Sequence, residues 1–213
     1  MRLIGVLLVV VGCHAGSANT PDAAIDADAP PQPVGMFVTW SAKPALPGPV
    51  TDKITVTEAT FHLEHLQLIS DAGADDRTTR SRYQIAWDAA GVPAQEMFPE
   101  APAAVYQRIL LDMRAAGQPS YSYEIRGTWR DSDNVAMPFR IIDRLMLEIP
   151  ISCSVALAAG SSMVLGIRVD LKDALNSVNW KDADDDDGVL VPTPQQLFML
   201  HGRLEDAFDL DDG

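Results

Sequence analysis

Cysteine, aromatic residues and basic residues are all scarce in this chain, and each scarcity removes a class of protein. Only Cys13 and Cys153 occur among 213 residues, so no disulfide framework staples the fold and a hydrophobic core must hold it. With aromatic residues at 7%, Trp40, Trp87, Trp129 and Trp180 are expected as core anchors rather than as a sugar-stacking platform. Lys and Arg number 16 against 30 Asp and Glu, a net charge of −14. Such a chain repels phosphate backbones, which argues against nucleic-acid binding driven by counterion release. No apolar run reaches the roughly 20 residues that a membrane-spanning helix needs. Gly-rich phosphate loops, CxxC pairs and the dinucleotide fingerprint are missing. Gly160-Ser161-Ser162-Met163 lacks the second glycine of a nucleophile elbow and reads as a hairpin turn. What remains, 47% apolar and 22% charged, is the composition of a globular domain.

The first thirty residues read as an address. Arg2 precedes an apolar run from Leu3 to Val11, and Gly12 stands before Cys13. A basic start, a short apolar stretch and a small residue before the cut describe a secretory signal. With a cysteine directly after Gly12, the segment resembles a bacterial lipoprotein signal, although Val10 and Val11 stand where Leu and Ala or Ser are commoner. The resemblance implies a signal peptide over 1–12 and lipid modification of Cys13, several acyl chains giving stable membrane anchoring. His14 in place of Asp after the cysteine implies the outer membrane. Residues 13–34, with Asp22, Asp26, Asp28, Pro30, Pro31 and Pro33 among small residues, bury almost nothing and read as a solvated tether. In composition this tether resembles those of deltaproteobacterial lipoproteins. A single domain is expected over 35–213.

Most of that domain reads as strands. Apolar residues recur at every second position in Ile54-Thr55-Val56, in Tyr121-Tyr123-Ile125-Gly127-Trp129, in Leu145-Leu147-Ile149-Ile151 and in Met163-Leu165-Ile167-Val169. Val105-Gln107-Ile109-Leu111-Met113 is expected on one face, with Arg108, Asp112 and Arg114 on the other. Between Phe61/Leu63 and Leu66/Leu68 the apolar phase changes, which predicts a β-bulge near His65. Asp71 to Asp76 reads as a turn. A period of two sustained over several runs with polar alternates predicts a mainly β protein: an antiparallel β-sandwich of about seven strands, immunoglobulin- or transthyretin-like, with one or two short helices towards the C-terminus. One helix would run from Leu171 to Trp180 behind Asp170. Thr193-Pro194-Gln195-Gln196 is a capping box with proline at the first helical position and starts the other, whose stripe is Leu197, Leu200, Leu204 and Phe208.

The order of these segments carries a further resemblance. An alternating strand ending in Leu68-Ile69-Ser70-Asp71-Ala72-Gly73 is followed by Ala101-Pro102-Ala103-Ala104-Val105-Tyr106. After it come Ser154 to Gly160 and Ile167-Arg168-Val169-Asp170-Leu171. In this the region from Ile54 to Trp180 resembles secreted β-sandwich proteins of the DUF4382 type and, more faintly, the periplasmic metal-binding MbnP-like proteins. The shared features are structural, so no catalytic residue is carried over. In the second family, copper binding implicates His and a modified Trp.

Candidate chemistry lies in two places. His62-Leu63-Glu64-His65 matches neither His-Glu-x-x-His nor its inverted form, so zinc-protease spacing is absent. On a strand His62 and Glu64 share a face, and His65 points away unless a bulge turns it. An ordinary sheet position is the bland reading; copper near His62 and His65, with Met113 or Met137, is the sharp one. Five carboxylates crowd Asp182 to Asp187, resembling a calcium loop with one residue too many. Asp182, Asp184, Asp186 and Asp187 are the candidate ligands for Ca2+, although Thr193 falls where a calcium loop needs its bidentate Glu. A solvated acidic turn is the favoured reading of the run, with the calcium loop as its rival. Asp131 to Asn134 and Asp209 to Gly213 read as turn and tail. Cys153 is expected as a buried, inert thiol, and His201 as a packing or capping residue. The favoured expectation is a non-enzymatic, lipid-anchored binding or envelope-structural module, with an envelope protein or glycan as partner. Extracytoplasmic metal binding is the first alternative, and a glycan-active hydrolase, which needs two facing carboxylates, is the second.

Overall fold

Alternation at period two becomes strand along most of the chain. The computed structural model describes residues 34–71, 78–115, 121–144 and 146–211. Outside them lie the signal segment 1–12, Cys13, the tether up to Pro33, Ala72 to Asp76 of the expected turn, Leu145, Asp212 and Gly213. Among the described residues there are thirteen strands. The first five are β1 (Gly35–Ala42), β2 (Gly48–Pro49), β3 (Ile54–Ser70), β4 (Thr79–Trp87) and β5 (Glu96–Phe98). The long middle set is β6 (Ala104–Met113), β7 (Tyr123–Arg130), β8 (Ala136–Asp143), β9 (Leu147–Leu157) and β10 (Ser162–Val169). Helix α1 (Lys172–Asn176) and a 3-10 turn at Trp180–Asp182 precede β11 (Asp184–Asp186) and β12 (Val189–Val191). Helix α2 (Pro194–Glu205) and β13 (Phe208–Leu210) close the fold.

The protein is mainly β, as its patterning predicts, but the sheets are mixed. One sheet has four strands in the order β13-β10-β1-β5, and β1 runs parallel to β10. The other has nine, in the order β11-β12-β8-β7-β3-β6-β9, with β2 and β4 also paired to β3 and with β12 parallel to β8. An antiparallel arrangement of about seven strands is therefore corrected on both counts. The parallel β1–β10 pair joins residues more than a hundred positions apart, and short runs such as Glu96–Phe98 and Asp184–Asp186 complete the sheets without a periodic signal of their own.

Strand β3 organises the larger sheet. Along one edge it pairs with β7 over Ile54 to Phe61 and then with β6 over Leu63 to Ser70, while β4 pairs with it from Ala59 to Gln67. His62 marks the handover: its N–H donates to the Ser122 carbonyl at 2.8 Å, and its carbonyl accepts from the Arg114 N–H at 3.3 Å. The predicted bulge is present, the register with β6 shifting between Leu63 and His65. A second shift, between Val56 and Glu58, was not expected. Together they keep Ile54, Val56, Ala59, Phe61, Leu63, Leu66 and Leu68 in the core. In β6 the expected face holds for Ile109, Leu111 and Met113. Val105 and Gln107 are instead exposed and Tyr106 is buried, because the register with β9 slips between Tyr106 and Arg108.

Both sheets share one core. Phe61 of β3 meets Phe208 of β13 edge-on at 5.2 Å between centroids, and Trp40 of β1 donates from Nε1 to the Tyr83 hydroxyl of β4 at 3.1 Å. Burying a side chain such as Phe61 contributes about 1.5–3 kcal/mol. All four Trp are buried, which removes the stacking platform. Gly127 of β7 faces Phe139 of β8, and a Cβ there would fall 2.1 Å from the Thr55 carbonyl oxygen and 2.7 Å from the Phe139 ring. Phe139 in turn packs on Trp180 at 4.5 Å. The C-terminal helix starts where its capping box places it: the Gln196 N–H donates to Thr193 Oγ1 and the Thr193 N–H to Gln196 Oε1. Helix α1 is shorter than expected, ending at Asn176 before the 3-10 turn, though Leu171, Leu175 and Val178 are buried as one set.

Candidate functional site

The outer face of the larger sheet carries the polar chemistry. Even-numbered residues of β3 from Glu58 to Glu64 project away from the core, since Ala59, Phe61 and Leu63 project into it. Beside them on β7 and β8 lie Glu124, Arg126 and Arg140, brought together because Thr60 pairs with Glu124 and Arg126 with Arg140. Glu124 is almost fully covered, and one of its oxygens, Oε1, accepts from Arg126 Nε at 2.7 Å and from Arg140 Nε at 2.6 Å. Arg126 also reaches Glu58 at 3.5 Å. Burial works to raise the Glu124 pKa, but hydrogen bonds from Arg126, Arg140 and Tyr121 outweigh it and hold the carboxyl below its ordinary range. Next along β3, the His62 ring meets Tyr121 edge-on at 5.1 Å, and its Nε2 is buried without a hydrogen-bond partner. Burial pushes the His62 pKa down, opposed by the nearby Glu124 charge.

The bulge builds the second half of the face. Two residues of β3, Glu64 and His65, stand opposite one residue of β6, Asp112, so that His65 turns to the same side as Glu64. His65 Nδ1 lies 3.4 Å from Asp112 Oδ2. Arg114 Nε bridges the carboxylates, 2.8 Å from Asp112 Oδ1 and 3.1 Å from Glu64 Oε2. The bond to Asp112 raises the Arg114 pKa. One ligand atom from each of Glu64, His65 and Asp112 lies within 4.8 Å of the others, a spacing that could hold a metal ion. His62 is not in this group. Met113 is fully buried in the core, on the opposite side of β6 from Asp112, and Met137 pairs with Trp129 at the far side of β7. Copper ligation by His62, His65 and either Met is therefore not what the strands assemble.

The acidic run is placed differently from a calcium loop. Asp184, Asp185 and Asp186 form β11, all exposed, and alternate between its two faces. Asp187 and Gly188, both at positive φ, make the two-residue turn into β12. Asp185 Oδ1 accepts the Gly188 N–H, and Asp182 Oδ2 accepts from Asn179 Nδ2. The extended backbone spreads these carboxylates instead of wrapping them round a centre. Asp131 does serve turn chemistry, its Oδ1 accepting from the N–H groups of Asp133 and Val135. Cys153 is half-buried rather than buried, its Sγ donating weakly to the Tyr106 carbonyl, and burial raises its pKa. His201 packs from α2 against Asp143.

In the sequence Asp112, Arg114, Glu124 and Arg126 stand only as polar alternates of apolar strands, and Arg140 lies in a stretch where the pattern predicts no strand at all. The pairing register joins them, and no local motif announces it. Comparison with protein-family models, with curated proteins and with solved structures returns no match for this chain.

Proposed function

We propose that the protein is a lipid-anchored extracytoplasmic β-domain, held at the outer membrane through Cys13 and acting without catalysis as a binding or envelope-structural module. In this reading the two sheets face each other across the shared core as a sandwich, and the outer face of the larger sheet is the working surface. The supporting observation is the Glu124 cluster. A carboxylate only 3% exposed fixes two guanidinium groups, each nearly half exposed, on an open sheet face. Arginine forks held in place in this way suit the carboxylate or phosphate groups of an envelope polymer, because little side-chain freedom is left to lose on binding.

The test has two arms. The full chain and its Cys13→Ala variant are expressed in a diderm bacterium with a palmitate analogue. Label and membrane fractionation are expected for the first and neither for the second; equal behaviour removes the anchor. Co-sedimentation with purified cell-wall sacculi is then compared for the unaltered chain, Arg126→Lys and Arg140→Lys, which keep the charge beside Glu124 but lose the fork. Reduced binding is expected of both variants, each shown to be folded by its melting curve. No binding, or binding indifferent to both substitutions, would overturn this assignment of the face.

A further inference from the structure

We propose that Glu64, His65 and Asp112 form a binding site for a first-row divalent transition-metal cation of the zinc class, and that Arg114 competes with the cation for the same two carboxylates. The inference depends neither on the lipid anchor nor on the Arg126–Arg140 face.

Ligand type, spacing and charge each support it. Two carboxylates and one imidazole make a mixed oxygen–nitrogen set, which suits Zn2+ and its neighbours. Calcium, which takes six to eight oxygens, is poorly served by it. The 3.4 Å between His65 Nδ1 and Asp112 Oδ2 is close to one edge of a tetrahedron whose bonds are about 2.0–2.1 Å, an edge of about 3.3 Å. Glu64, on the exposed side of the bulge, closes the remaining separation by rotating its side chain, since all three ligand atoms already lie within 4.8 Å. The bulge matters because an unbroken strand would send His65 into the opposite face from Glu64. Three carboxylates meet here: Glu64, Asp112 and Glu148, which stands opposite Asp112 on β9. Arg114 pairs with two of them, Glu64 and Asp112, and Glu148 is among the charges it senses. The carboxylates outnumber the one guanidinium bonded to them, which favours a dication.

Arg114 Nε occupies the space between Glu64 and Asp112 that the cation would take, so the guanidinium must move outward when metal enters. It is 42% exposed and free to do so. Three protein ligands leave further coordination positions to water, which describes an open rather than a closed site.

The experiment is calorimetric titration of the full chain, purified in detergent and stripped with EDTA, with ZnCl2 and separately with CaCl2. One Zn2+ per chain is expected, bound far more tightly than Ca2+. His65→Ala is expected to weaken Zn2+ binding at least tenfold, His62→Ala to leave it unchanged, and Arg114→Gln to strengthen it about tenfold. Melting curves of each metal-free variant establish that it is folded, and Asp112→Asn repeats the ligand test if His65→Ala is not. Absence of Zn2+ binding, binding indifferent to both ligand substitutions, loss with His62→Ala, or an Arg114→Gln affinity equal to or below that of the unaltered chain would overturn the proposal.

Discussion

His201 Nδ1 lies 3.4 Å from Oδ2 of Asp143, a contact that ties helix α2 to the end of strand β8. Asp143 is buried and also accepts from the Tyr123 hydroxyl at 2.9 Å and from the Arg144 N–H at 2.6 Å. Burial, reinforced by the Asp143 charge and hydrogen bond, pushes the Tyr123 pKa well above its ordinary value, so the phenol stays a donor. Removing the acceptor strands a donor in the core, whereas removing the donor hydroxyl leaves Asp143 its other partners. Asp143→Ala should therefore cost about 2–3 kcal/mol and Tyr123→Phe about 1 kcal/mol in urea denaturation.

The two groups beside each other on the outer face give acid sensitivity in separate windows. His62 has its pKa lowered below the ordinary 6.5 by burial. The unfolded chain thus takes up that proton first, and stability falls as pH drops below about 6.5 towards the folded value. His62→Phe keeps the edge contact with Tyr121 and removes the orphaned nitrogen. It should abolish this part of the pH dependence in melting curves and leave the protein as stable or more stable at pH 7.

Glu124 acts lower on the scale. Its folded pKa lies below the ordinary 4.5, so its contribution is present above that value and is lost as pH falls through the folded one. Glu124→Gln should flatten the stability profile below about pH 4.5. At pH 7 the same substitution should cost about 1.5–3 kcal/mol, the worth of hydrogen bonds to a charged group. Equilibrium unfolding at a series of pH values separates this loss from that of His62.

Gly127 marks a point where no side chain fits. With a Cβ 2.1 Å from the backbone oxygen of Thr55, relief would require the β3–β7 pairing to open rather than a ring to swing aside. Gly127→Ala should destabilise by about 2–3 kcal/mol, at the upper end of core overpacking, seen as a lowered melting temperature. Gly160→Ala tests conformation instead of space: its Cβ would touch nothing, but φ is +75°, and a smaller loss is expected.

How far the sequence carried can be judged residue by residue. Leu66 and Leu68 fall out of phase with Phe61 and Leu63, and that local signal located the bulge. Thr193 and Gln196 located the start of α2, because a capping box is a contact between neighbours. The Val56–Ala59 shift shows the same out-of-phase spacing but hides behind alanine, which is at home on either face. Val105 shares the period-two phase of Ile109, Leu111 and Met113, and the slip between Tyr106 and Arg108 that breaks this phase carries no local mark; Tyr106 is buried instead, its hydroxyl donating to the Pro102 carbonyl. The acidic run reads as either a calcium loop or a solvated turn, and Asp187 and Gly188 do make a turn, from β11 into β12. The candidate site was half legible. His65 was flagged with its dependence on the bulge, but its partners Asp112 and Arg114 lie nearly fifty residues away and meet it only through strand register.

The acidic run has a consequence of its own in the position it occupies. Strand β11 is the outermost member of the nine-stranded sheet, and outermost strands offer free amide and carbonyl groups to any passing chain, the starting point of domain exchange and fibril growth. Three consecutive aspartates make that border self-repelling, for a second copy adding there would bring its own carboxylates alongside. Crowded copies of the molecule are thereby kept from polymerising through this border.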